Sequence, residues 1–265
     1  MAKCGDKSVQ ALNSKGYNVV KLPRAGIEPM DILGKDKQAT EWLGPLADVW
    51  STTVALPIVS TNPSMEISGQ QTNSLDLSVG LKMLGNVLAA FGASTPTLDA
   101  GYKNARSLQF TYGQVTTTSV RPLQAGNYLA AGTLNSANPL VKHYMLEDES
   151  DAYLIFDVLK SNEISVVATD QHGAEVKVDL GVIQALVGAK VGLAAAGSGG
   201  TKLTYKGAAP VTFAFRAFEI AFDHGAWKLQ GAGTDDLSFA TSVGGNGEPA
   251  GEPILLRPHG LINLK

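Results

Sequence analysis

Cysteine is almost absent from this chain. Its 265 residues hold one, Cys4, which excludes an internal disulfide and any cluster of cysteine metal ligands. Charge is also scarce: Asp, Glu, Lys and Arg make up 17% of the residues, where an ordinary soluble domain has about 25%. The 21 basic and 24 acidic side chains leave a net charge of −3. That balance lacks the basic excess needed to bind nucleic acid by counterion release, so no nucleic-acid partner is expected. Long apolar runs are missing too. The most apolar stretch, Val182 to Ala196, is broken by Gln184 and Lys190 and falls short of the roughly 20 residues a spanning helix needs. The N-terminus, Met1 to Lys7, carries no apolar core of a secretory signal and no apolar stretch ahead of Cys4, so a cytoplasmic chain is expected. Strands of about 9–11 residues also cross membranes, and these absences leave a β-barrel open. With 44% hydrophobic residues the chain is not disordered, and its length gives one large domain or two small ones a real core.

Catalytic patterns are missing as well. His143, His172, His224 and His259 lie in or beside turns and share no metal-ligand spacing. The acidic run Glu147 to Asp151 lacks the spaced ligands and central glycine of a calcium loop. In Gly197-Ser198-Gly199-Gly200-Thr201-Lys202 the lysine follows the threonine, the reverse of a phosphate loop. There is no Gly-x-Ser-x-Gly elbow. The sequence predicts no enzyme, no cofactor and no metal site.

What is present is alternation. A short helix is expected over Asp6–Lys15, stopped by Gly16, then a strand from Tyr17 to Leu22 ended by Pro23. Turns and a short helix near Lys37–Leu43 follow, then a β-rich stretch over Asp48–Ser60. Ser64–Ser78 and Ser107–Val120 alternate as strands do, and Leu81–Phe91 has helical spacing up to Gly92. Ala152–Lys160 and Glu163–Thr169 read as a hairpin about Ser161-Asn162, with the alternation continuing through Val176, Val178 and Leu180. Gly181–Ala196 reads as a small-residue helix, and Leu203–Lys206 and Val211–Phe222 as further strands. Three units follow: a body over 1–237, a Gly/Pro-rich linker over 238–252, and a short apolar tail over 253–265.

Three features of this layout carry function. Cys4 lies beside Lys3 and Lys7 at the edge of a short helix, a position that accepts an S-acyl chain; about 12 kcal/mol of gross transfer energy in a sixteen-carbon chain calls for a pocket in water. The long strands are poor in charge. To face lipid they must close into a barrel, which a chain of this size makes only by oligomerising. The tail offers six apolar side chains, Ile254, Leu255, Leu256, Leu261, Ile262 and Leu264. Burying them gives roughly 9–18 kcal/mol gross against roughly 20 for ordering residues 253–265, so the tail holds only while tethered. Cutting the linker among Ser238, Thr241, Gly244, Asn246 and Glu248 would release it. Glu248 and Glu252 balance Arg257 and Lys265 beyond residue 240, so release leaves the net charge at −3 and the switch works by apolar exposure. A soluble lipid carrier with the tail as lid is the alternative, and an enzyme with a dispersed site a third.

The opening Cys4-Gly-Asp-Lys7, the block Lys15 to Arg24 (KGYNVVKLPR), and Ile27-x-Pro-x-Asp-Ile-Leu-Gly34 resemble the bacterial gasdermins, and the charge-poor body and short tail fit the same family along the whole chain. The resemblance implies an α+β fold with a twisted, mainly antiparallel central sheet, flanking helices and a short autoinhibitory C-terminal peptide. It implies palmitoylation of Cys4 and cleavage of the linker by a caspase-like or related protease. It also implies passage from a cytoplasmic monomer to a homo-oligomer in the lipids of the inner membrane. There, by the same resemblance, the cut chain forms a β-barrel pore that kills the cell in anti-phage defence; the strands between about Val49 and Val79 and between about Ala152 and Phe222 are the candidates for its extended, inserting hairpins.

Overall fold

The computed structural model describes residues 7–37, 39–69, 71–72, 74–93, 98–147, 149–197, 200–223, 225–231, 253–257 and 261–265. Helix α1 (Lys7–Asn13) ends in a turn at Gly16, whose φ of +78° suits glycine. Strand β1 (Asn18–Arg24) follows, then β2 (Asp31–Lys35) and β3 (Thr40–Pro45) as a hairpin, β4 (Trp50–Thr52), β5 (Ser60–Pro63) and β6 (Leu75–Asp76). Helix α2 (Leu77–Ala90) stops before Gly92 at φ +98°. Next come β7 (Ser107–Gly113), β8 (Thr116–Ser119), α3 (Pro122–Ala130), β9 (Gly132–Leu134) and the short α4 (Pro139–Val141), which runs into a π-turn. The centre of the fold is β10 (Asp151–Thr169) against β12 (Lys202–Asp223), with α5 (Leu180–Val187) and β11 (Gly192–Ala196) between them in the chain. Strands β13 (Ala226–Gln230) and β14 (Leu261–Ile262) complete it.

Twelve of these strands form one sheet, whose main path runs β14-β1-β12-β10-β2-β3. Every pairing between its strands is antiparallel except β14 on β1. The mixed α+β class and the mainly antiparallel sheet agree with the sequence. No helix among the described residues is long and apolar enough to cross a membrane.

Several element boundaries move. The expected hairpin at Ser161-Asn162 is one continuous strand: Ser161 Oγ accepts from Glu163 N at 3.0 Å and donates to the Glu163 carbonyl at 2.7 Å, and β10 runs straight on while the extra residues of the irregular register, 207–210, lie on β12. The gap between Leu203–Lys206 and Val211–Phe222 closes likewise, with Pro210 where the register with β10 shifts. Pro23 lies inside β1, where the register with β12 is also irregular. The expected helix near Lys37–Leu43 is β3, because Trp42 pairs with Leu33 across the hairpin. Of the long strand expected over Ser64–Ser78, Leu75–Asp76 pairs as β6 and Gln71 makes a single bridge to Thr111. Residues 176–179 form no strand, and the helix expected over Gly181–Ala196 is α5 followed by β11, divided at Gly188.

Burial explains the low charge. Strand β10 is buried on both faces nearly end to end. One face of the central strands packs with α1, α2 and α5 around Leu84, Leu88, Phe110 and Phe213. Another core gathers Leu46, Trp50, Tyr128, Phe156 and Phe218 beneath α3. A third, smaller core, with Val20, Ile27, Leu33, Ile155 and Phe215, lies at the tail.

Candidate functional site: the docked C-terminal strand

Chain residues 253–257 and 261–265 lie against β1 and β3. Tyr17 leads into β1, and its carbonyl is held by Asn13 Nδ2 at 2.7 Å. The next residue, Asn18, is buried, and its amide reads the tail backbone twice. Nδ2 donates to the Ile254 carbonyl at 2.8 Å, and Oδ1 accepts from Leu256 N at 2.7 Å. A third bond runs from Ile254 N to the Ala217 carbonyl at 3.0 Å. Gly16 leaves room for this approach, since a β-carbon there would stand 2.9 Å from Pro253 Cγ.

Beyond these contacts β14 pairs in parallel with β1, Leu261 opposite Val19 and Ile262 opposite Val20. The chain then crosses to the other edge. Leu264 bridges to Thr40, Lys265 N donates to the Thr40 carbonyl at 3.1 Å, and Trp42 N donates to the Lys265 carbonyl at 3.3 Å. The tail thus joins β1 to β3, the two ends of the path β1-β12-β10-β2-β3, and closes it around the third core. Leu256 and Ile262 are buried in that core, and Ile254 and Leu264 pack half-buried against it. Leu261 is half-buried on the other side, against the core beneath α1 and α2. Leu255 is half-buried.

Of the expected site residues, the tail's six apolar side chains are therefore brought together on the body. Cys4 and the linker positions Ser238, Thr241, Gly244, Asn246 and Glu248 lie outside the described residues. The sequence reading missed Asn18. A polar residue at the head of an apolar strand, two residues after a glycine, was its only signal.

Under β1 sits a charged cluster. Asp157 Oδ2 accepts from Tyr17 Oη at 3.2 Å and from Arg216 Nε at 3.0 Å, and the Arg216 guanidinium stacks 4.9 Å above the Tyr17 ring. Burial first, then the Asp157 charge, pushes the Tyr17 hydroxyl up to about 12. Beside the tail, a small apolar cavity of about 40 Å³ is lined by Val9 and Leu12 of α1, Val19 of β1, Met83 of α2, Phe213 of β12, and Leu261. Elsewhere the chain between β4 and β5 exposes Val54, Leu56, Ile58 and Val59, with Met65 beyond, in a stretch without charge from Val49 to Met65.

Known proteins share this plan. The sequence pattern of the Bacterial Gasdermin Family matches residues 20–228. A gasdermin of a Vitiosangium species is 34% identical over 267 residues, covering 100% of this chain and 99% of its own. One of Lysobacter enzymogenes is 32% identical over 254 residues, covering 94% and 93%. The solved structure of a bacterial gasdermin from Bradyrhizobium tropiciagri superposes with a TM-score of 0.61 at 18% identity, covering 86% of this chain and 91% of that one, which shows a common fold. From β1 to β13 and in the sheet they build, the chain belongs to the bacterial gasdermins, a family of pore-forming, non-enzymatic proteins that oligomerise and insert into membranes.

Proposed function

We propose that the chain is held inactive by its own C-terminal strand and that a protease, caspase-like or related, activates it by cutting within 238–252. The observation that carries this reading is the double role of residues 253–257 and 261–265, which pack into the third core and join the β1 edge to the β3 edge. Release exposes Leu256, Ile262 and two lengths of unpaired strand together. Unpaired edges and bared apolar surface drive pairing with further copies. The cut body, residues 1–237, then assembles on the lipids of the inner membrane into a β-barrel pore that kills the cell, in anti-phage defence.

Cys4 carries a palmitoyl chain in this reading. The apolar cavity between α1, β1 and Leu261 is its resting place, and at about 40 Å³ it admits the chain only if the seven-residue α1 shifts. The uncharged stretch about Val54 to Met65 makes the first contact with lipid, and the segments 49–79 and 152–222 supply the hairpins that insert. A cavity this small does not favour a lipid carrier. The test is a specific protease site placed in the linker of the full chain. Cutting it in the presence of vesicles gives large rings by electron microscopy, and a product that stays monomeric would refute pore assembly.

A further inference from the structure

Methionine is scarce in this chain, five in all, and the fold sorts them sharply. Met83 is 7% exposed in the core beneath α1 and α2, and Met30 is 6% exposed in the core beneath α3. Met145 packs half-buried against the latter core. Met65 is 82% exposed, more than any other large hydrophobic side chain among the described residues. A thioether so open to water is a target for peroxide, because oxidation at sulfur follows access.

This exposure does not come from a loose backbone. Met65 lies in a turn after β5 that is held at both ends. Ser64 N donates to the Val115 carbonyl at 2.8 Å, and Gly69 N donates to the Tyr112 carbonyl at 2.9 Å. Within the turn, Ser68 N donates to the Ser64 carbonyl at 3.1 Å. Ile67 is buried in the core beneath α1 and α2, and Glu66 pairs with Lys15 at 2.5 Å. A pinned turn thus presents one thioether to water. Beside it runs an open groove of about 450 Å³, lined by Pro63, Val115 and Pro210 together with neutral polar side chains such as Gln114 and Thr116. None of its lining residues is charged, so a small neutral oxidant reaches the sulfur freely.

We propose that Met65 is a modification site at which peroxide oxidation weakens the hold of the cut chain on lipid. The thioether sulfur attacks one oxygen of hydrogen peroxide, the O–O bond breaks and an S–O bond forms. Sulfur gives up two electrons, and the second oxygen leaves with both hydrogens as water. The product is a polar sulfoxide at the end of the uncharged stretch Val49 to Met65. An apolar side chain of this size entering lipid is worth roughly ten- to hundredfold in binding, and the sulfoxide forfeits it. That consequence rests on the reading that this stretch meets lipid; the order in which the methionines oxidise does not. A reductase of the methionine sulfoxide class restores the thioether, so the change is reversible.

Hydrogen peroxide treatment of the uncut full chain, followed in time by peptide mass spectrometry, tests the site. Met65 gains one oxygen roughly tenfold or more faster than Met30 and Met83; an equal or slower gain overturns the inference. The treated chain, freed of peroxide and cut at a specific site placed in the linker, is then mixed with phosphatidylglycerol vesicles. Co-sedimentation takes roughly tenfold or more lipid than for the untreated cut chain. Met65→Leu keeps Cys4 and the other four methionines, and treatment leaves its binding at its own untreated level. Unchanged binding of the treated chain, or an equal loss in Met65→Leu, overturns the inference. So does an untreated cut chain that fails to bind vesicles. One that binds without leaking dye refutes the pore and leaves this comparison to decide the role of Met65.

Discussion

At the scale of single residues, the docked tail depends on Asn18. Its amide donates to one tail carbonyl and accepts from one tail N–H, so Asn18→Asp keeps the shape and the acceptor but turns the donor into a carboxylate facing the Ile254 carbonyl. Leaving such a buried group unsatisfied costs about 1–3 kcal/mol. Exchange at the amides of Leu256 and Ile262 should rise roughly 5- to 150-fold in the uncut variant while the body keeps its near-ultraviolet circular dichroism. Unaltered tail exchange would remove Asn18 from the latch. Tyr17, one residue earlier, sets an alkaline limit. Its hydroxyl titrates near 12 in the folded chain and near 10 when unfolded. The stability this contributes is complete below about pH 10 and is lost as pH rises towards about 12, since only the unfolded chain releases that proton in the window. Tyr17→Phe should lessen the fall in unfolding free energy between those values, a change that denaturant titrations at stepped pH will read.

At the scale of elements, the tail strand is short and holds by burial. Ile262 is 3% exposed within the third core, so Ile262→Asp places a charge there at a cost of about 3–5 kcal/mol, more than a two-residue strand can offset. The uncut variant should leak vesicles without proteolysis, whereas Ile262→Val, at about 1 kcal/mol, should stay silent. A second element contact joins α2 to β12, where a β-carbon on Gly207 would stand 2.3 Å from the Phe91 ring. Gly207→Ala should therefore lower stability by about 1–3 kcal/mol through overpacking, seen as a lower Tm. The helices α1 and α2 and the strands β7 and β8 were legible because glycine stops and alternation are local signals. The continuity of β10 and β12 was not. A turn-like Ser161-Asn162 and an interior Pro210 carry the signature of chain reversal, and only the neighbouring strands hold the first in a straight run and turn the second into an irregularity of β12. Trp42 was drawn into β3 by a partner nine residues earlier, a pairing that composition does not encode.

At the scale of the molecule, the apolar tail and its linker were legible because hydrophobic content after a Gly/Pro stretch is visible in one dimension. That the tail would join two sheet edges was not, since edges exist only once the sheet is built. The shortage of charge, which reads from sequence as fitness for lipid, has a resting-state cause as well: β10 and much of β12 are covered on both faces. Activation accordingly rests on release of the tail rather than on a change of net charge, which a cut before Glu248 leaves at −3. Dye release from phospholipid vesicles, measured on one preparation before and after a specific cut within 238–252, tests this directly. Rapid leakage after the cut and none before is the predicted result. Equal leakage before and after, or none in either case, would contradict it.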